Sequence, residues 1–113
     1  MQVTKRREDD VSILDLEGPI DGSDSCRSIH TAMRQELDGD VRKFVLNLSG
    51  VEWINSLGIG FLIAASVAAV KGNAQIHIVG PSSRVGAALR ASGVVPHVWK
   101  EFETEEAARE SLK

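Results

Sequence analysis

Apolar residues change their spacing several times along the chain, and each change marks an element. Residues 2–7 are polar and predict a short edge strand. Val11 and Ile13 then alternate with Ser12, Leu14 and Leu16, which predicts a strand over Val11 to Leu16. Glu17-Gly18-Pro19 breaks it, and from Ser23 to Leu37 the period becomes helical, with Cys26, Ile29, Met33 and Leu37 at steps of three and four. Asp21, Ser23 and Asp24 are the candidate N-caps, and Gly39 is placed to end that helix. Lys43 to Leu48 is nearly continuous in Phe44, Val45, Leu46 and Leu48, as a strand covered on both faces would be.

After the Ser49-Gly50 turn, a helix is predicted from Ser56 to Val70. It is apolar on nearly every side, with Gly58, Gly60 and five alanines or serines between the large residues. Such a helix is either buried on most faces or keeps one apolar face for a partner. Gln75 to Val79 alternates again as a strand, and Ser82-Ser83 opens a short helix carrying Val85, Ala88 and Leu89. Gly93 stops that helix, and Val94, Val95, Val98 and Trp99 predict a last short strand. Thr104, followed by Glu105 and Glu106, caps a terminal helix. The order β-β-α-β-α-β-α-β-α predicts an α/β fold in one domain over residues 1–113. Its sheet is expected to be mostly parallel or mixed, of about four or five strands, with about four helices.

Composition narrows the function. Net charge is -3, which gives no basic field for nucleic acid. Lys5-Arg6-Arg7 is followed at once by Glu8-Asp9-Asp10 and reads as a solvated strand end. The single cysteine, Cys26, cannot form an internal disulfide and falls on an apolar helix face, so a buried thiol is expected. The longest apolar stretch, Leu57 to Val70, is shorter than the roughly 20 residues that span a bilayer. With a polar N-terminus, this leads us to expect a cytoplasmic protein with no membrane insertion. His30, His77 and His97 have no ligand-type spacing and are expected at the surface or half-buried, so neither a metal nor a cofactor is expected.

The candidate chemistry concentrates at Ile54-Asn55-Ser56-Leu57-Gly58-Ile59-Gly60, where a strand passes into a helix. A helix start favours anions, because its first N–H groups lack partners. On spacing alone Ser56 is the helix N-cap, worth about 1 kcal/mol. A hydrolase built on Ser56 would need a base within reach. Its neighbours supply none, so a non-enzymatic protein is expected. Gly58 and Gly60 each cost about 1 kcal/mol of helix propensity, which close backbone packing would justify. They lack the third glycine of a dinucleotide loop. Trp53 reads first as a core or rim aromatic and second as an anchor for a partner.

Leu16-Glu17-Gly18-Pro19-Ile20-Asp21, Val45-Leu46-Asn47-Leu48-Ser49-Gly50-Val51, the corner itself, Ala91-Ser92-Gly93-Val94 and Glu105-Glu106-Ala107 together resemble the STAS domain, over nearly the whole chain. In its anti-sigma factor antagonist branch, the resemblance implies binding to an anti-sigma factor that is a serine kinase. It also implies release when that kinase phosphorylates Ser56, and resetting by a cognate phosphatase. Asp21, Trp53, Asn55, Leu57, Gly58 and Ile59 are then the expected partner-binding residues. Asn55 stands where the family usually has aspartate, and Leu57 where it has a second serine. These departures motivate an alternative: a constitutive STAS subunit of a lipid-transport ABC complex or a signalling scaffold, without a phospho-switch. An apolar helix face could also form a homodimer.

Overall fold

The computed structural model describes residues 1–113. Its five strands form one sheet in the order β1-β2-β3-β4-β5, so spatial order follows chain order. β1 (Gln2–Glu8) runs antiparallel to β2 (Val11–Glu17). β3 (Lys43–Gly50), β4 (Gln75–Val79) and β5 (Lys100–Phe102) continue the sheet in parallel with β2. The connections carry α1 (Arg27–Asp38, entered through a 3-10 turn at Asp24–Cys26), α2 (Ser56–Lys71), α3 (Ser83–Ala91) and the short α4 (Val94–His97). α5 (Glu105–Ser111) closes the chain. None of these helices is long and apolar enough to cross a membrane.

Both faces of the sheet are covered, unequally. Leu14, Leu46 and Ile78 stand in register across β2, β3 and β4. With Leu16, Phe44 and Leu48 they pack against Ile29 and Met33 of α1, Leu62, Ala65 and Ala69 of α2, and Val85 and Leu89 of α3. The buried thiol of Cys26 belongs to this core. On the opposite face Val11, Ile13, Val45 and Val79 meet only Ala108 and Leu112 from α5, with Phe102 at the edge. This two-sided burial accounts for the nearly unbroken apolar runs of β2 and β3. Each fully buried leucine or isoleucine contributes roughly 1.5–3 kcal/mol.

Three expectations change. Val94 to Trp99 is not a strand: Pro96 cannot donate to a ladder, and the segment instead forms α4 and drives Val94, Val95 and Trp99 into the core. The last strand follows it, at Lys100–Phe102. Lys5-Arg6-Arg7 lies within β1 with Lys5 and Arg7 exposed, as a solvated stretch would be, but Arg6 is half-buried. There Arg6 forks onto Asp15 at 2.6 and 2.9 Å and reaches Glu105 at 2.7 Å, tying β1 to β2 and α5. His77 is buried, with Nδ1 3.2 Å from the Ala108 carbonyl oxygen, and burial lowers its pKa. Gly39 caps the carboxyl end of α1 as expected, at φ -89, and the left-handed residue is the next one, Asp40, at φ 68.

Candidate functional site

Two loops at the carboxyl ends of parallel strands build the corner. The segment after β2 and the segment after β3 are fastened together by Gly18 N–H to Gly50 O at 3.0 Å, Ile20 N–H to Trp53 O at 3.0 Å, and Asn55 N–H to Ile20 O at 3.4 Å. Ile20 and Ile54 form an isolated parallel bridge. α2 leaves from this clasp. Its cap is Asn55, not Ser56: Asn55 is extended (φ -120, ψ 179), and its Oδ1 accepts the Gly58 N–H at 2.8 Å. A cap must hold non-helical dihedrals, whereas Ser56 is already the first helical residue. Position 55 therefore needs a side-chain oxygen, which asparagine supplies as well as aspartate does.

Gly58 makes a backbone-to-backbone contact. A Cβ there would lie 1.8 Å from the Ile20 carbonyl oxygen, so only glycine lets α2 approach the loop this closely. The same explanation fails for Gly60, where a Cβ would meet nothing within 4 Å. Gly22, at φ 79, brings the same loop against Leu57.

The predicted residues separate by exposure. Trp53, Ser56 and Leu57 face solvent, with Leu57 exposed to 73% and Trp53 to 39%, at the rim rather than in the core. Asn55, Ile59 and Asp21 are half-buried, and Gly58 lies buried under the loop. Asp21 does not cap α1, nor do Ser23 and Asp24: the helix starts at Cys26 without a side-chain cap, because the 3-10 turn intervenes. Asp21 Oδ1 instead takes the Ser23 N–H at 2.9 Å and sits 3.6 Å from the Cys26 thiol. Ser23, through its hydroxyl and its amide, holds the Asp21 carboxyl below the usual range. With exposed Glu17, Asp24 and Glu52 on the same two loops, the corner is acidic.

Beyond the corner, α2 keeps one apolar face outward. Ile63, Val67 and Val70 are exposed to 37, 46 and 54%. Helical spacing places them in line with Ser56 and not with Leu57, so α2 leaves apolar residues exposed on both flanks of its outward side. Two features had no forecast. A groove of about 390 Å³ runs between α1 and α2 over Met33, Leu37, Ala65 and Ala68. Behind the sheet, Arg6, Asp15, Asn47 and Glu105 form one polar network. Asp15, the lone acid in β2's apolar alternation, was the available signal for it. His30 lies against α2, its Nε2 3.3 Å from the Phe61 carbonyl oxygen, while His77 is under α5 and His97 is on α4. No three His, Cys, Asp or Glu side chains group as metal ligands. The corner offers an exposed hydroxyl beside an exposed leucine and a tryptophan.

Comparison with known proteins agrees with this geometry. The STAS domain family model matches residues 2–108. No curated protein matches. Among solved structures, TM1081 of Thermotoga maritima, described as a candidate anti-sigma factor antagonist, is 22% identical with a TM-score of 0.84 over 96% of this chain and 92% of its own. An anti-sigma factor antagonist from Mycobacterium paratuberculosis is 19% identical with a TM-score of 0.81, covering 97% and 92%. The anti-sigma factor antagonist SpoIIAA in its unphosphorylated form is 17% identical with a TM-score of 0.78, covering 98% and 96%. The phosphorylated form of SpoIIAA from Bacillus aligns with a TM-score of 0.72 at 17% identity over 99% of this chain and all of its own. At these identities the likeness is one of fold.

Proposed function

The chain belongs to the STAS domain family, and on that premise we propose that it is a cytoplasmic anti-sigma factor antagonist switched off by phosphorylation of Ser56. Unmodified, it binds an anti-sigma factor serine kinase through Asp21, Trp53, Leu57 and the outward face of α2, and so frees a sigma factor. The kinase transfers the γ-phosphoryl group of ATP to Ser56 Oγ, which loses its proton, and ADP departs. A phosphatase hydrolyses the ester and restores the hydroxyl.

One observation carries this reading. Asn55 performs the capping, which leaves the Ser56 hydroxyl outward and free of a structural task. A phosphoserine adds about -1.5 to -2 charge near neutral pH. Within the chain, the open amides of the first helical turn and the helix dipole offset that charge, so the fold persists. Against a partner the balance differs. Burying exposed Leu57 would also desolvate the dianion next to it, which costs far more than the leucine contributes. Release thus needs no change of backbone shape.

The test is incubation with ATP and the serine-kinase anti-sigma factor encoded in the same genome, followed by mass spectrometry and calorimetry. One phosphate should appear on Ser56 and none on Ser56→Ala, and Ser56→Asp should lose affinity. An unmodified Ser56, together with wild-type affinity of Ser56→Asp, would overturn the switch. Loss of binding by Ser56→Asp with no kinase able to modify Ser56 would instead favour a constitutive subunit.

A further inference from the structure

Gly60 is the one residue of the corner motif that the fold does not explain. It lies inside α2, where glycine costs about 1 kcal/mol against alanine. At Gly58 that cost has a cause within the chain, because the Ile20 carbonyl occupies the place of a side chain. Gly60 has no such cause. A Cβ there would meet nothing within 4 Å, and Gly60 is not among the glycines of positive φ, which are Gly18, Gly22, Gly80 and Gly93. The bare position gains nothing for the folded chain.

Its place relative to Ser56 supplies a reason. Residues four apart stand one above the other on a helix, with Cβ atoms about 5–6 Å apart. Each Cα–Cβ bond also tilts toward the amino-terminal end, so a side chain covers the turn that precedes its own residue. Any side chain at position 60 would therefore lean over exposed Ser56. The neighbour three residues on, Ile59, is half-buried and packs against the core instead. With Ile59 turned inward and Gly60 bare, nothing from the second turn of α2 stands over the hydroxyl.

We propose that Gly60 keeps the approach to the Ser56 hydroxyl open, and that this access sets how fast the serine is phosphorylated. The inference rests on the antagonist reading and adds a residue that governs the reaction at its site. In the transfer, a bond forms between Ser56 Oγ and the γ-phosphorus of ATP as the bond to the ADP oxygen breaks. The hydroxyl proton passes to a base of the kinase. The attacking and leaving oxygens stand roughly in line, so the nucleotide and the kinase groups around it must all fit against Ser56 at once. A misplacement of about 1 Å at a reacting centre can lower a rate about a hundredfold, so a side chain leaning over Ser56 would slow the transfer even in a bound complex. Gly60 carries no catalytic group and acts through clearance alone.

Two measurements test it, on Gly60→Ala and Gly60→Leu, with near-ultraviolet dichroism of buried Trp99 to confirm that each variant is folded. The first needs no kinase. Ser56→Cys is made alone and together with each Gly60 variant, and the reaction of its thiol with a bulky aromatic disulfide is timed; Cys26 is buried and reacts separately and slowly. Gly60→Leu should slow the thiol at position 56 about tenfold, and Gly60→Ala about twofold or less. The second follows phosphate transfer from ATP to Ser56 in single turnovers at saturating concentrations of the serine-kinase anti-sigma factor of the same genome. The saturated rate should fall about tenfold or more in Gly60→Leu and about threefold or less in Gly60→Ala. Gly60→Ala should at the same time raise Tm, so lost stability cannot account for a slower transfer. An unslowed thiol in Gly60→Leu, or an unchanged saturated rate with only weaker binding, overturns this inference and leaves the switch standing. A wild-type Ser56 that the kinase does not modify overturns both.

Discussion

Gly58→Ala and Gly60→Ala make the same chemical change two residues apart in one helix, and they should act with opposite sign. In a helix interior the change gains about 1 kcal/mol of propensity at either site. At Gly60 nothing lies within 4 Å of the added methyl, so most of that gain should survive. At Gly58 the methyl would stand 1.8 Å from the Ile20 oxygen and 2.6 Å from its carbonyl carbon. Both are backbone atoms, so no side chain can swing away. The loop must retreat by more than an ångström, which strains the bonds from Asn55 N–H to Ile20 O and from Ile20 N–H to Trp53 O. Overpacking costs about 1–3 kcal/mol and each weakened hydrogen bond about 1 kcal/mol. The propensity gain is outweighed, leaving a net loss of about 2 kcal/mol. For a chain of 113 residues this lowers Tm by roughly 8 °C, while Gly60→Ala raises it by a few degrees. Urea unfolding followed by circular dichroism measures both. Equal stabilisation by the two variants would refute the close contact between α2 and the loop, and with it the clasp that positions Ser56.

Three further outcomes follow from the same geometry. Asn55→Ala should cost about 1 kcal/mol of unfolding free energy through loss of the cap, while Asn55→Asp should stay within a few tenths, as chemical denaturation would show. Ser66→Ala should destabilise by about 1–3 kcal/mol, because the buried Trp99 indole N–H donates to the Ser66 hydroxyl and would be left unpaired; a normal Tm would contradict that bond. Burial lowers the pKa of His77 from 6.5, so the folded chain favours the neutral ring. Its contribution is complete above pH 6.5 and is lost as pH falls below 6.5 through the folded value. His77→Gln should flatten that part of the stability curve and leave intact the further acid loss from Asp15, whose carboxyl Arg6 holds low.

Element order was legible because burial here follows simple periods. β3 read as a strand covered twice and β2 as an alternating one, and the structure covers both, with α1, α2 and α3 on one face and α5 on the other. What local pattern could not supply were contacts between distant segments. Val94, Val95, Val98 and Trp99 have strand-like composition, yet the indole of Trp99 pairs with Ser66, 33 residues away, and that anchor lies beyond any window of propensity. The same pairing explains why a serine interrupts the apolar interior of α2. Ser66 donates to the Leu62 carbonyl oxygen at 2.8 Å and accepts from Trp99. Lys5-Arg6-Arg7 looked solvated because its acids, Asp15, Glu36 and Glu105, come from three other elements.

At the corner the reading located the right turn and assigned its cap one residue late. Asparagine and serine are both good caps, and the backbone decides between them: only Asn55 holds the extended dihedrals a cap requires. That single step changes what Ser56 is for. A serine spent on capping would bind its hydroxyl to a helix amide, and a phosphate there would disrupt the helix it caps. A serine at the first helical position has its hydroxyl outward, with the cap intact behind it. Asn55 and Gly58 together fix the helix start that carries Ser56: one caps it and the other seats it against the Ile20 carbonyl. The requirement at position 55 is for an oxygen and not for a charge, so asparagine in place of aspartate leaves the presentation of Ser56 unchanged. What it removes is one negative charge beside Ser56, at a corner whose two loops already carry Asp21, Asp24 and Glu52, which lowers the electrostatic opposition to adding a phosphate there.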